Sequence, residues 1–435
     1  MLDEADEELI KLNAHLIKAA NFLMDLEYNG ITVDEEYLEK LSEELDQELL
    51  LKEYLLSKAA YKINPNGYEK GNGINPNSPL QLKKFYNDCN IELSSTNEET
   101  LNKIISYPNQ FPENDKMIRI FTKRVLAYRS EEKLKSTYVD GIRNRTHNGK
   151  VHSSYLLHGT TTGRLSSRNP NLQNIPRTSP VKRLFVASSP DRLIVNVDYS
   201  QAELRVISYL AQDEFFSDIF KDESRDVFDE LVPRLFPGAN KERDDPKVWK
   251  EKRTMVKTYV YGLSYGRTEF GIARGFGIPV DLAKKHMQRF FSTIPRVIKW
   301  QNDIKAQVMN GEDLITPYGR HRRYSLITDE NQRDVLNEAL AFLPQSTASD
   351  MCLTAAYRVN EMFHDADRNT YYNGTAPKIV NIVHDAIMFE CEKDVAEGYA
   401  KFVGDKMIES AQEIVGDYVP FAVDSSWGYS WSDIK

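Results

Sequence analysis

The chain has 435 residues, 41% of them apolar and 28% charged, with a formal net charge of −9; that length exceeds one ordinary core and the composition is that of a globular protein of two or three packed units. No stretch approaches the ~20 apolar residues of a membrane span, and the acidic opening MLDEADEEL is unlike a basic signal peptide. Cys89, Cys352 and Cys391 lack the paired spacing of a disulfide framework or a zinc site, so a reducing, cytoplasmic compartment is expected.

The negative total does not exclude a polyanionic partner. Residues 1–60 hold 16 Asp/Glu against 5 Lys/Arg, whereas residues 116–145 hold 9 Lys/Arg against 3 Asp/Glu. Charges are screened over ~8–10 Å, so a ligand feels the local balance more than the sum.

In chain order, residues 8–58 read as helices, broken at Asn29-Gly30 and restarted near Asp34, a good N-cap. INPNGYEKGNGINPNSP, residues 63–79, is loop, and Ser78-Pro79 opens a short helix. A long helix is expected over 115–135, with Ile118, Phe121, Val125 and Leu126 on one face and basic residues on the other; that basic face fits a solvated surface as well as a binding one. From residue 151 the texture changes. The loop TTTGRLSSRNPNLQNIPR leads to strand-like RLFVA and RLIVNV, the latter ending at Asp198, and YSQAELRVISYLAQ follows with helical spacing. Residues 211–310 are mainly helical, and a strand pair comes late, near 379–392. The fold class is α+β: a helical N-terminal unit, then a sheet domain interrupted by a helical insertion.

Three constellations carry candidate chemistry. In VNVDYSQAELR a strand delivers Asp198 just ahead of a helix; it could cap that helix, but Glu203 places a second acid one and a half turns on. In RTMVKTYVYGLSY, Arg253, Lys257, Tyr261 and Tyr265 recur every fourth residue, forming one helical stripe roughly 18 Å long. Two cations followed by two rings match the demands of a triphosphate followed by a sugar and base, although a tyrosine face in a core fits the rings too. Gly262 and Gly266 would let something large approach that stripe. In IVNIVHDAIMFE the apolar runs form a hairpin holding His384 and Asp385 at its turn. Asp198 and Asp385 meeting at strand ends could bridge two Mg²⁺ ions, one activating a 3′-hydroxyl and one neutralising pyrophosphate.

DYSQAELR, R-x3-K-x3-Y-x3-YG and VHD, in this order, resemble motifs A, B and C of the family A DNA polymerases, the bacterial DNA polymerase I type. NGITVDEEYL, INPNSPLQLKKFY, EEKLKSTYVDGI, TTGRLSSRNPNLQNIP and WGYSW resemble further segments of that family, so the likeness covers most of the chain. The resemblance implies a right-hand polymerase with an antiparallel-sheet palm: helical thumb and N-terminal helices in 1–150, palm in 151–210 and 325–435, helical fingers in 211–324. It implies DNA-directed DNA synthesis on a primer-template from deoxynucleoside triphosphates, by a monomer using two Mg²⁺ ions, for which Mn²⁺ can substitute.

On the same resemblance Asp198, Asp385 and the backbone carbonyl of Tyr199 would hold the metals. Arg253 and Lys257 would grip the triphosphate, Lys257 also protonating the departing pyrophosphate. Tyr261 would lie against the sugar, Tyr265 would close the template side, and Glu203 would fill the space of a ribose 2′-hydroxyl. Arg164, Asn171, Gln173, Asn174, Gln345 and His384 match positions on the DNA near the primer end, where the minor-groove acceptor pattern is common to all correct pairs. Lys133, Lys135, Ser136 and Thr137 match thumb positions that hold phosphates.

Some residues depart from the family pattern. Ala386 stands where the usual motif has Glu, and Glu390 is too far along the strand to replace it. Phe228 replaces a His that contacts the triphosphate, and Asn337 and Ala341 replace an Arg and an Asn ahead of Gln345. Tyr261 replaces the commoner Phe. A thumb starting near residue 1 leaves no room for a proofreading domain, so exonuclease activity is not expected; either the chain is a shortened piece of a longer protein or proofreading is on another chain, which allows for a separate proofreading or processivity partner. The shortened architecture and Tyr261 favour a phage enzyme over a bacterial one. A single-subunit RNA polymerase, a DNA-holding relative without catalysis and a two-metal nuclease are the alternatives; Glu203, the retained cations and the lack of a further acid cluster weigh against each in turn.

Overall fold

The computed structural model describes residues 7–65, 73–106, 115–176, 179–369 and 376–434. The start of the acidic opening, residues 66–72 of the expected loop and Arg177 lie outside these. The described chain divides into two compact units: 1–30 with 153–173 and 187–435, and 31–152 with 174–186.

The first unit is built on a four-stranded antiparallel sheet in the order Lys378–Val383, Ala386–Glu392, Arg192–Tyr199, Val423–Gly428. Arg192–Tyr199 is central, and Ile194, Val195, Asn196 and Val197 are all buried. A strand covered on both faces loses the apolar–polar alternation of a half-exposed one, which explains the continuous run IVNV. The helices Gln332–Asn369 and Ala396–Val415 pack with this sheet. Gly404 lets the second come close, because a Cβ there would stand 2.8 Å from Val423.

The helix Glu7–Asn29 buries Phe22, Leu23 and Leu26 in the same core as Met351, Val359, Ile379 and Phe389. The compact units part at residue 30 as well as near residue 150, because this shared apolar core binds the first helix to the sheet of the first unit. Between the central strand and the late hairpin lies a run of helices from Glu214–Phe220 to Pro295–Met309, with a second core around Phe216, Leu231, Val256, Tyr259, Phe290 and Val297.

The second unit is mostly helical. Asp34 caps Glu35–Ile63 by accepting from Tyr37 N at 2.9 Å, and Ser78 caps Pro79–Asp88. Between Asn29 and Asp34 the chain forms the short strand Ile31–Val33, paired with Lys150–Val151 and Phe185–Val186. The helix Asp115–Lys133 buries Ile118, Phe121 and Val125 as expected. Its basic residues are not uniformly solvated. Arg124 donates to Leu55 O at 3.0 Å, and Arg129 to Pro76 O at 2.8 Å and to Thr96 O. These two staple the unit together. Among the described residues no helix is long and apolar enough to cross a membrane.

Candidate active site

Two acids distant in sequence become neighbours through strand register. Ala386 pairs with Asp198, and Tyr199 N donates to Asp385 O at 3.3 Å, so the hairpin turn lies beside the end of the central strand. The turn is only His384-Asp385, with His384 at φ +57°. Asp198 does not cap the following helix. The strand continues through Tyr199, and Gln201, in the left-handed region, precedes the helix Ala202–Ala211. Arg205 fixes this junction, donating to Ser200 O at 2.8 Å and to Pro420 O while stacking on Phe220.

Asp385 Oδ1 is buried with no hydrogen-bond partner. A buried carboxylate oxygen left so is costly unless a cation meets it. Burial holds this carboxyl above the usual aspartate range, against the pull of Arg164 and His384. Two carboxylates and a nearby carbonyl suit Mg²⁺, which takes few protein ligands and completes its shell with phosphates and water. Accordingly, no group of three or more His, Cys, Asp or Glu among the described residues is arranged as a metal cage.

The ionised form is the one disfavoured by folding here, so the cost is present at neutral pH and relieved as pH falls through the raised value. Asp385→Asn is therefore expected to raise Tm by roughly 1–3 °C in metal-free buffer at neutral pH. Added Mg²⁺ should raise the wild-type Tm and leave that of the variant nearly unchanged. Calorimetric scans with EDTA or Mg²⁺ check both; a variant that melts lower in EDTA would contradict the reading.

Three further groups converge on these acids. Tyr261 is pushed up to about 12 by burial and by the charges of Glu203, Asp385 and Asp198. Glu203, in the first turn of Ala202–Ala211, is raised by burial, an effect that Arg164 reduces and Asp385 increases. Arg164 Nη2 donates to Glu203 Oε1. On the other side of the central strand Asp424 pairs with Asp198, an acid that the sequence reading did not single out. Glu390 pairs with Ile194 instead and is held by Ser188 N at 3.1 Å and Arg192 Nε at 2.5 Å, a structural bond well away from Ala386.

The stripe lies on the helix Pro246–Ser264, with Tyr265 at its end. Val256, Tyr259, Val260 and Leu263 are buried in the core, and the stripe runs along its edge, with Tyr261 and Tyr265 half-buried against that core and Lys257 exposed. Arg253 donates from Nη2 to Asp226 at 2.9 Å and its Nε lies 3.1 Å from Asp229. Asp229 also accepts from Trp249 Nε1 at 3.1 Å and Lys241 at 2.6 Å. Phe228 lies under both cations, 5.3 Å from the Arg253 guanidinium and 5.7 Å from Lys257 Nζ, and 6.2 Å from the Tyr261 ring. Asp226 and Asp229 were missed; the signal for them is the cap RDVFDEL, which sets them one turn apart. The glycines serve the protein rather than a ligand. A Cβ at Gly262 would stand 3.0 Å from Arg267, and one at Gly266, with φ +76°, 2.4 Å from Asn337 Oδ1.

The expected DNA-contact residues divide. Gln173 is buried and braces the hairpin turn, its Nε2 donating to Ile382 O and its Oε1 accepting from His384 N at 3.2 Å. Both ends of its amide are thus spent on the backbone of the hairpin. Asn171 Oδ1 accepts from Gln173 N at 3.0 Å and shapes the loop, whereas Asn174 and His384 are exposed. Gln345 is half-buried on Gln332–Asn369, seven residues before Cys352 and so on the same helix face. Burial raises the Cys352 thiol, and the charges of Asp385 and Asp198 raise it further.

In the second unit the α-helix widens to a π-turn over Leu134–Val139, where Ser136 and Thr137 are exposed, as is Lys133 before it. π-turns recur at functional positions. Lys135 lies 3.1 Å from both Asp46 and Asp140, so two carboxylates share its charge.

The sheet, the acids at its strand ends and the cationic stripe of the helical insertion form one candidate site. A family profile described as DNA polymerase family A matches residues 35–433. The chain belongs to the family A DNA polymerases, with their right-hand fold of antiparallel-sheet palm, helical fingers and helical thumb. It is 28% identical over 430 residues to DNA polymerase I of Helicobacter pylori strain J99, covering 95% of this chain and 43% of that protein. It is 30% identical to DNA polymerase I of Chloroflexus aurantiacus over 95% of this chain and 42% of that protein. For the thermostable DNA polymerase I of Thermus aquaticus the values are 28%, 99% and 49%. The chain thus spans less than half the length of these relatives. The solved POL domain of Pol1 from M. smegmatis, in complex with DNA primer-template and dNTP, matches with a TM-score of 0.79 and 26% identity over 96% of this chain and 70% of that one.

Proposed function

We propose that the protein is a DNA-directed DNA polymerase that adds deoxynucleotides to a primer 3′-hydroxyl and releases pyrophosphate. The observation that carries this reading is the convergence of Asp198 and Asp385, the latter with an orphaned buried oxygen, on a Tyr261 hydroxyl whose helix presents Arg253 and Lys257. Two divalent ions, Mg²⁺ or Mn²⁺, would be held by Asp198, Asp385 and the Tyr199 carbonyl and supply Lewis-acid stabilisation of the attacking and leaving oxygens. Arg253 binds the triphosphate from the pre-set orientation that Asp226 and Asp229 give it, and Lys257 passes a proton to the pyrophosphate oxygen. Tyr261 lies against the sugar, Tyr265 guards the template side, and Glu203 excludes a 2′-hydroxyl. Arg164, Asn174, His384 and Gln345 meet the primer-template near its end, while Lys133, Ser136 and Thr137 hold its phosphates through the thumb.

We take 211–324 as the fingers and 151–210 with 325–435 as the palm, the thumb lying within 31–150. One chain supplies every part of the site, which supports a monomer as the working unit. The three free cysteines, two of them buried, fit a reducing cytoplasm.

Extension of a labelled primer, with deoxy- or ribonucleotides and with Mg²⁺ or EDTA, tests this. Growth with deoxynucleotides and Mg²⁺ alone is expected; growth with ribonucleotides only would favour an RNA polymerase, and no growth under any condition would sink the proposal.

Tyr261 carries a separate prediction. Its hydroxyl can bond in the space left by a missing 3′-hydroxyl, so the wild type should accept dideoxynucleotides readily. Tyr261→Phe should raise discrimination against them on the order of 10- to 100-fold, the worth of one charge-assisted hydrogen bond. Equal termination by both proteins would contradict it.

A further inference from the structure

Arg164 and Glu203 make a polar contact beside the acids, each interacting electrostatically with Asp385. Both side chains are largely shielded, with 25% and 16% of their surface exposed. Arg164 Nε is buried and makes no hydrogen bond, so the Nη2 contact with Glu203 Oε1 is what fixes the guanidinium.

The backbone beneath Arg164 is braced from several directions. Thr160 Oγ1 donates to Arg164 O at 2.8 Å, and Ser349 Oγ to Gly163 O at 3.4 Å. Gly163 has φ +73°, and a Cβ there would stand 2.6 Å from Arg320 Nε, so the Arg320 guanidinium lies directly against the turn. Arg320 is in turn anchored on the fully buried Asp350 at 2.8 Å, which also meets His15 at 3.2 Å. Arg164 is therefore aimed at Glu203 by the packing of residues far from the site.

Glu has three rotatable bonds and much rotamer freedom to lose. A carboxylate that excludes a hydroxyl by bulk works only while its side chain stays in place. We propose that Arg164 is a positioning residue for Glu203: its guanidinium holds the carboxylate in the space a ribose 2′-hydroxyl would occupy, so that sugar selection depends on both residues. This rests on the polymerase reading above and adds to it a sugar-selecting role for Arg164. A guanidinium offers five donors, so Nη2 can keep Glu203 while other donors meet the primer end.

The test is the ratio of kcat/KM for a deoxynucleotide to that for the matching ribonucleotide, read in single-turnover extension with enzyme in excess. Wild type, Arg164→Ala, Arg164→Lys, Glu203→Ala and the Arg164→Ala/Glu203→Ala pair are compared. Arg164→Ala should lower the ratio at least about tenfold and Arg164→Lys less, while the double variant should fall no lower than Glu203→Ala alone, as for two residues acting as one unit. If Arg164→Ala does not fold, Arg164→Gln takes its place in the same series. An Arg164 that serves only the primer end would slow both nucleotides equally; an unchanged ratio, additive losses in the double variant, or a wild-type ratio near one would overturn the inference. Wild type extending with neither nucleotide would instead end the polymerase reading itself.

Discussion

Asp198→Asn and Asp385→Asn should each slow single-turnover primer extension by about three orders of magnitude or more, the loss expected when charge stabilisation worth several kcal/mol is removed from a metal-assisted transfer. Asn keeps the shape of Asp and removes the negative charge, so the substitution isolates charge from packing. The two positions are equivalent in this respect because the pairing of Ala386 with Asp198 and the bond from Tyr199 N to Asp385 O make them one site. Affinity for primer-template should stay within about threefold of wild type, since phosphate contacts dominate such affinity and neither acid makes them. Rapid-quench extension and equilibrium DNA binding, measured on the same preparations, separate the two effects. A variant that extends primers within tenfold of wild type would show that its acid is not part of the chemistry.

The next largest effect is expected at Lys257. Lys257→Ala should lower kcat by about 10²–10⁴-fold, the usual range for a lost proton donor. It stands one helical turn after Arg253 and one before Tyr261, between the carboxylate-held guanidinium and the ring that senses all three acids. Lys257→Arg separates charge from proton transfer: a guanidinium remains cationic but does not give up its proton in a protein. Its KM for the nucleotide should stay near wild type while kcat falls nearly as far as in Lys257→Ala. Full recovery of kcat by Lys257→Arg would mean that Lys257 acts by charge alone.

Features encoded within one element were legible in the sequence. Asp34 and Ser78 cap their helices as read, and the acid-bearing strand, the four-residue stripe and the His384-Asp385 turn all fall where spacing places them. What was not legible depends on partners far away in the chain. Gln173 looks like any polar loop residue, yet its amide is used by the backbone of Ile382 and His384. Gly262 and Gly266 suggest ligand access, but Arg267 and Asn337 fill the space. Lys135 reads as one of a basic run until the fold brings Asp46 to it. Spacing reports which face a side chain takes; it does not report whether the fold has already matched its charge or its hydrogen bonds.

The most direct measurement counts divalent ions. In a complex with dideoxy-terminated primer-template and the next nucleotide, titration with Mn²⁺ followed by the resonance of the free ion should give two bound ions per wild-type protein. Asp198→Asn and Asp385→Asn should each bind fewer over the same range. Equal counts in all three proteins would contradict a shared metal site at these two carboxylates.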